Sequence, residues 1–457
     1  MPSLVFGCVL QTVKNAIGTA KSKRKQLGVQ VSLASLPAEE RFKEENLLLA
    51  ALARTSVYKK HGIARVISGV DEDGTVHDEP NLASDLRRLH EGVIIEIPDD
   101  VMGGMKKVRL KCVIIIVCAD YLAAQALLPW FESTGAYIFC RGCNANRKHH
   151  DFYRPFSFLR SNQACSRGED AKRARVSVPE LRTWEAMNEV IEAARAASGP
   201  ERKAIMEQHG LKRLYFAFHP DLIPCNPAIV APQDALHLFP DGLLRTQKAW
   251  TLYIFFRMGL KLSVVNARLK QYQRDTKDWP ADVRLPPLQP KLQKGTREGC
   301  PKASATVCMT GHQMHWFSLH SIRILTPLLS AEMRAHPAWV CWLKLVELYS
   351  LVVQHELTHE DIERIDDLQL EHTALFDQVP EFAGLARPKH HFLTHVAKDA
   401  WDYGPPRGYW CFGFEGFNRV IKRGAQLSNW KDETMSILRY CCGTGPCMYS
   451  AHQLCPG

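Results

Sequence analysis

Apolar residues shift along the chain between strand-like alternation and helix-like spacing. Residues 4–10, LVFGCVL, predict a strand, and Lys21–Lys25, KSKRK, a solvated basic turn. Gly28 to Leu36, GVQVSLASL, alternates and predicts a second strand. Ser35 and Pro37 open a helix, PAEERFKEENLLLAALARTSVYKKHG, that stops at Gly62 after basic residues. Val66 to Leu82 is rich in Asp and Gly and predicts a loop. GVIIEI and KVRLKCVIIIVCAD predict a hairpin. The second arm is β-branched and apolar enough for a buried strand, and it ends at Asp120.

Beyond it, Ser161 to Arg175 is a polar connection, and two or more helices follow to Gly210. Helical patterns cover Arg245 to Leu262 and Met314 to Leu357, separated by a Pro- and Lys-rich loop from Pro280 to Lys302. There is no internal repeat. The expected organisation is a small α/β unit over 1–160 and a mainly helical insertion over 161–384. A returning segment over 385–430 and a Cys-rich tail over 431–457 complete it.

Bulk properties narrow the classes. A chain of 457 residues holds one large core with an insertion, or two to three domains. An apolar fraction of 46% excludes disorder throughout. The net charge of +10 biases the protein toward polyanions, mostly nucleic acid. The first residues lack the charged, apolar, small-residue order of a secretory signal. The longest strongly apolar run, Val113 to Cys118, is too short to cross a bilayer, so no membrane partner is expected. Fifteen cysteines without a secretion signal point to reduced thiols, with metal binding as the first use to consider.

Several residues could carry chemistry. A carboxylate at the end of a buried strand, as expected for Asp120, is held at a rim where function collects. Two-metal phosphoryl transfer needs such acids to hold two divalent ions about 4 Å apart. The plainer role for Asp120 is a turn or an N-cap. Cys140-x-x-Cys143 is half of a tetrahedral zinc site, which needs two further ligands. Local partners are His149 and His150, and distant ones are His390, His391 and His395. On helical geometry His391 and His395 share a face at i, i+4, whereas His390 and His395 need an irregular turn.

Taken in order, these segments resemble the DDE transposases with an RNase H-like fold, and most closely the CACTA (En/Spm)-like group with its relatives in animal genomes. That group has an acid before C-x-x-C, then a K-H-H-x-L-x-H segment, a G-P and an F-E or Y-E. This chain has Asp120, Cys140-x-x-Cys143, PKHHFLTH from Pro388, Gly404-Pro405 and Phe414-Glu415. APQDALHLFPDGLL resembles the family's D-x-M-H…G-V segment, and LPAEERFKEENLLLAALA its L-P-P-E…L-E-N-I-L-L helix. The resemblance runs in order from about Asn15 to Arg423.

It implies an α/β RNase H-like core interrupted by a long helical insertion. It also implies Asp120 and Glu415 as catalytic acids holding Mg²⁺ or Mn²⁺. Cys140, Cys143, His390 and His395 would bind one structural Zn²⁺, and Asp234 and His237 may join the active site or simply cap a helix. Double-stranded DNA is the implied partner, with Arg419, Lys422 and Arg423 on its phosphates. Homo-oligomers and a nuclear location are implied as well.

One element of the family pattern is missing. The first acid belongs just before an N-P-L-G-like turn, here Asn15-Ala16-Ile17-Gly18, yet residues 1–14 hold no Asp or Glu. Decay or repurposing, a start upstream of Met1, or an acid recruited from Asp71, Glu72 or Asp73 would each explain it. The expectation is that the chain as written does not cleave DNA, because a two-metal site short of an acid loses its chemistry.

Two further groups remain. His355-Glu356-Leu357-Thr358-His359 is an H-E-x-x-H, which on one helix would make a zinc peptidase site. Against that, Thr358 with Asp361 has capping-box order, and a helix starting there separates the two histidines. No N-E-x-x-S-D-like segment follows. In the tail, Cys442, Cys447, His452 and Cys455 offer four ligands at an unfamiliar spacing, and a frayed tail is the plainer reading.

Overall fold

The computed structural model describes residues 90–98, 105–110, 116–130, 137–146, 179–214, 216, 219–220, 225–277, 279–288, 309–413 and 415–416. The described residues fall into two units. The first takes those of 90–130, 182–232 and 412–416, and the second those of 137–181 and 233–411.

In the first unit, β1 (Val93–Pro98) and β2 (Met105–Leu110) pair antiparallel, with Val93 opposite Leu110 and Pro98 opposite Met105. This is the hairpin expected from GVIIEI and KVRL, and its first strand is the β-branched one. The apolar run does not continue as a strand to Asp120. Residues 116–120 have no strand ladder, although the Val117 N–H donates to the Val230 carbonyl at 2.7 Å. Asp120 then N-caps α1 (Tyr121–Leu127), accepting from the Ala123 N–H at 2.6 Å.

α2 (Trp184–Ala196) and α3 (Gly199–His209) form a helical hairpin. Thr183 caps α2, and the Arg202 side chain donates to the carbonyls of Ala194, Arg195 and Ala197, which the end of α2 leaves without helical partners. α3 stops at Gly210, whose φ of 69° suits glycine. Trp130, Leu127, Ala124, Ile191, Leu211 and Phe216 make the core of this unit.

The second unit is a helical body. α4 (Ala235–Leu238) runs through a π-helical turn, Phe239–Leu243, into α5 (Leu244–Arg257). Gly259 at φ 100° ends that run, and α6 (Leu262–Asp275) begins. α7 (Gly311–Leu325), α8 (Ala331–Ala335) and α9 (Pro337–Val352) occupy the stretch expected to be helical from Met314. Pro327 and Pro337 divide it, each in the first turn of the element it opens, where its missing N–H is harmless. α10 (His359–Asp377), α11 (Pro388–Leu393) and α12 (Val396–Tyr403) follow.

α9 packs lengthwise on α10 and is buried along Trp339, Trp342, Leu345, Leu348 and Tyr349, with Trp342 donating to Ser321 of α7 and Tyr349 meeting Phe239 of the π-helical turn. A polar network lies within that core. Neutral His372 donates through Nε2 to Gln247 Oε1 at 2.8 Å, and Gln247 Nε2 donates to Cys341 Sγ at 3.1 Å. Burial holds His372 at about 3, so it stays uncharged.

These elements overturn the expected α/β RNase H-like core. Helices hold 64% of the described residues, and the only ladder among them is the β1–β2 hairpin. The expected second arm is strand over its described start, Lys107–Leu110, whereas its described end, residues 116–120, leads into the helix that Asp120 caps. The expected strands at residues 4–10 and 28–36 and the helix after Pro37 lie outside the described residues.

Candidate metal centre

The cysteines sit in a tight loop over residues 137–146. A single antiparallel bridge, Ile138 to Asn146, closes its base, and Cys143 bridges to Leu181. The Asn144 N–H donates to the Glu180 carbonyl at 2.8 Å. Between the cysteines, Gly142 is required by close approach. A Cβ there would lie 3.2 Å from both Cε1 and Nδ1 of His395.

The histidines come from two short helices joined by a turn. Pro388 starts α11, and Lys389 reaches from it to donate to the carbonyls of His237 and Asp241. Thr394 closes α11, its N–H and hydroxyl both donating to the His391 carbonyl, and His395 begins α12. His391 and His395 therefore stay one turn apart on one face, as i, i+4 spacing requires. Phe139 meets the His391 ring edge-on at 5.1 Å, which fixes its tilt.

Four donor atoms converge. Cys140 Sγ lies 3.3 Å from His395 Nε2, and Cys143 Sγ 3.3 Å from His391 Nε2. The two Nε2 atoms are 3.3 Å apart, and all four donors lie within 4.8 Å of one another. A tetrahedral zinc, with Zn–S about 2.3 Å and Zn–N about 2.0 Å, sets its donors about 3.3–3.8 Å apart. All four residues are 3% exposed or less. Two thiolates cancel the charge of a divalent ion, so a loaded site is neutral and its burial costs little. Burial pushes the Cys140 thiol up, but the Cys143 thiol and the charges of His395 and His391 outweigh it, and its pKa falls well below the ordinary value. The cluster is a buried Cys₂His₂ set that could hold a metal such as zinc.

His390, expected among the ligands, points elsewhere. Its ring lies flat against Trp250 and His372, with centroids 6.5 and 6.4 Å away, and 4.6 Å from that of Phe376. Its Nδ1 accepts from the Arg387 N–H at 3.0 Å, and burial lowers it to about 4. His391 takes the position by the cluster instead. The i, i+4 spacing already favoured it.

Asp234 is buried and heavily engaged. It N-caps α4, accepting from the N–H groups of Leu236 and His237, and takes the Cys411 N–H at 2.7 Å. It also meets His237 Nδ1. With Cys411 Sγ these groups form a second cluster of donors within 4.8 Å, in which Cys411 had no signal in its own sequence neighbourhood. Asp399, likewise unforeseen, accepts from the Gln233 N–H at 2.8 Å, and burial raises its carboxyl to about 6.

Among the described residues, no cluster of possible metal donors includes Asp120, whose carboxylate caps a helix. Glu415 is exposed. The H-E-x-x-H does not form a site either. α9 ends at Val352, His355 and Glu356 lie between helices, and Thr358 caps α10 in a full capping box with Asp361. His359 stacks on Trp401 with ring centroids 4.9 Å apart, and no donor cluster among the described residues includes His355 or His359. Asp71, Glu72, Asp73, His149, His150, Arg419, Lys422, Arg423, Cys442, Cys447, His452 and Cys455 lie outside the described residues. No protein-family model and no curated protein sequence matches this chain.

Proposed function

We propose that this chain is a transposase relative that binds double-stranded DNA, carries one structural zinc and does not itself cut DNA. The observation that carries the reading is the meeting of Cys140 and Cys143 with His391 and His395, across separations of 248 and 255 residues. The family resemblance links those two segments for the same purpose, and the support lies in their order and pairing. Zinc there would tie the 137–146 loop to the turn between α11 and α12, a fixed cross-link with no open coordination position.

Without an acid in residues 1–14, Asp120 and Glu415 would fall short of the carboxylates that a two-metal Mg²⁺ or Mn²⁺ site needs. Binding without cleavage is what then remains. The basic net charge supports it, and Arg419, Lys422 and Arg423 are proposed phosphate contacts. A nuclear location and self-association belong to the same reading.

The test joins three measurements on the full chain. Metal analysis should find one zinc per molecule. Duplex binding should weaken steeply with salt, and supercoiled plasmid with Mg²⁺ or Mn²⁺ should stay intact. Absence of duplex binding at low salt sinks the DNA reading. Nicking that is lost in Glu415→Ala sinks the non-cleaving one.

A further inference from the structure

An aromatic wall runs between α6 and α7 and the turn that follows α6. Tyr272 lies at its buried end, its hydroxyl 3.0 Å from His320 Nδ1. Trp279 stands beside it, with ring centroids 5.2 Å from His320 and 6.3 Å from Trp316. The Trp316 and His320 rings are nearly parallel, 25° apart at 5.8 Å. The wall ends at exposed His312, which accepts the Trp316 Nε1–H at 2.9 Å. The Trp279 Nε1–H donates to the Val283 carbonyl at 2.6 Å. Both indole N–H groups are thus committed internally, and these half-buried rings offer a partner only their π surfaces.

Basic residues outnumber acids around the wall, where Asp275 and exposed Asp282 stand against Arg268, Lys270, Arg274, Lys277, Arg284 and Arg323. α7 contains no Asp or Glu and carries Arg323. Arg268 lies over Tyr272 at 5.6 Å and donates to the Arg323 carbonyl. Lys270, Lys277 and Arg284 are exposed, and Arg274 is paired with Asp275. Half-buried aromatic faces beside exposed basic residues are how proteins hold single strands, with bases stacking and phosphates following the cations. An acidic peptide would use the cations but not the rings.

We propose that the α6–α7 face binds single-stranded DNA, with bases stacking on Trp316 and Trp279 and phosphates meeting Arg268, Lys277, Arg284 and Arg323. The choice of DNA rests on the reading above, whereas the stacking chemistry does not. The test is fluorescence anisotropy of the full chain with labelled oligo-deoxythymidylate and with a duplex of equal length. Trp316→Ala should weaken the single strand about tenfold and leave the duplex within about twofold. Lys277→Glu with Arg284→Glu, both at exposed positions, should weaken it similarly without disturbing packing.

No single-strand binding by the wild-type chain, or unchanged affinity in the charge-reversal variant, overturns the proposal. So does a polyglutamate probe that binds equally well and ignores Trp316→Ala, which would mark an acidic-peptide surface. Duplex binding without single-strand binding removes this inference and keeps the earlier reading. Single-strand binding without duplex binding does the reverse.

Discussion

Two histidine motifs in this chain meet opposite fates. His355-Glu356-x-x-His359 is contiguous and has the full spacing of a zinc peptidase helix, yet only His359 lies on a helix. The Cys140–Cys143 and His391–His395 pairs are about 250 residues apart, yet their donors meet at tetrahedral distances. Spacing describes geometry only while the backbone between the residues stays regular. In the first motif one helix ends at Val352, before either histidine, and Thr358 caps a new helix that begins only at His359. In the second, each pair sits within one turn, and the core of the second unit brings the turns together.

The largest effect expected from breaking this contrast is at the metal centre. Cys143→Ser and His391→Ala should each abolish the bound zinc and cost several kcal/mol, because metal affinity there is folding energy. His390→Gln should keep the zinc. Metal content and thermal melts of the three variants check this, and zinc retained in His391→Ala but lost in His390→Gln would reverse the ligand assignment.

The next effect concerns α10, the helix whose start separates the peptidase-like histidines. His372 in that helix has its pKa lowered to about 3 by burial, against about 6.5 when unfolded. Between those values the unfolded chain binds a proton that the folded chain does not. Stability should therefore fall as pH drops through that window, by at most a few kcal/mol from this group. Denaturant midpoints against pH should flatten in His372→Gln, and an unchanged slope would remove His372 as a source of acid sensitivity.

A smaller loss, about 1–3 kcal/mol, is expected for Gly142→Ala, whose Cβ would press on the His395 ring at 3.2 Å. Weakened zinc retention in a chelator titration would show that the close approach matters to the site. Thr358→Ala should cost about 1 kcal/mol and loosen the first turn of α10, seen by hydrogen exchange. Last, Glu356→Ala should change neither metal content nor stability measurably. Loss of zinc in that variant would restore the peptidase-like site.

Much of the candidate site could be read from residue types. C-x-x-C announced half a site, the KHHFLTH segment supplied the rest, and Thr358 with Asp361 announced the helix start that dissolves the H-E-x-x-H. The choice between His390 and His391 turned on α11 keeping helical register into His395, which one-turn spacing suggests but does not guarantee. The fold was read less well. Residues 116–120 looked like the end of a sheet strand but carry no ladder, because buried chain and buried strand share composition. What separates them is whether a neighbour completes the ladder, and that neighbour is remote in sequence.

The sequence by itself determined the local devices: the caps at Thr183 and Thr358, the proline starts of α9 and α11, and the two half-sites. Each acts within a few residues, so the chain carries its full instruction nearby. Only the tertiary structure decided which histidine faces the cysteines. It also decided that Cys411 joins Asp234 and His237, and that a side chain at Gly142 would press on the His395 ring. Those depend on packing between segments distant in sequence, where burial and shape select among partners that residue spacing leaves equal.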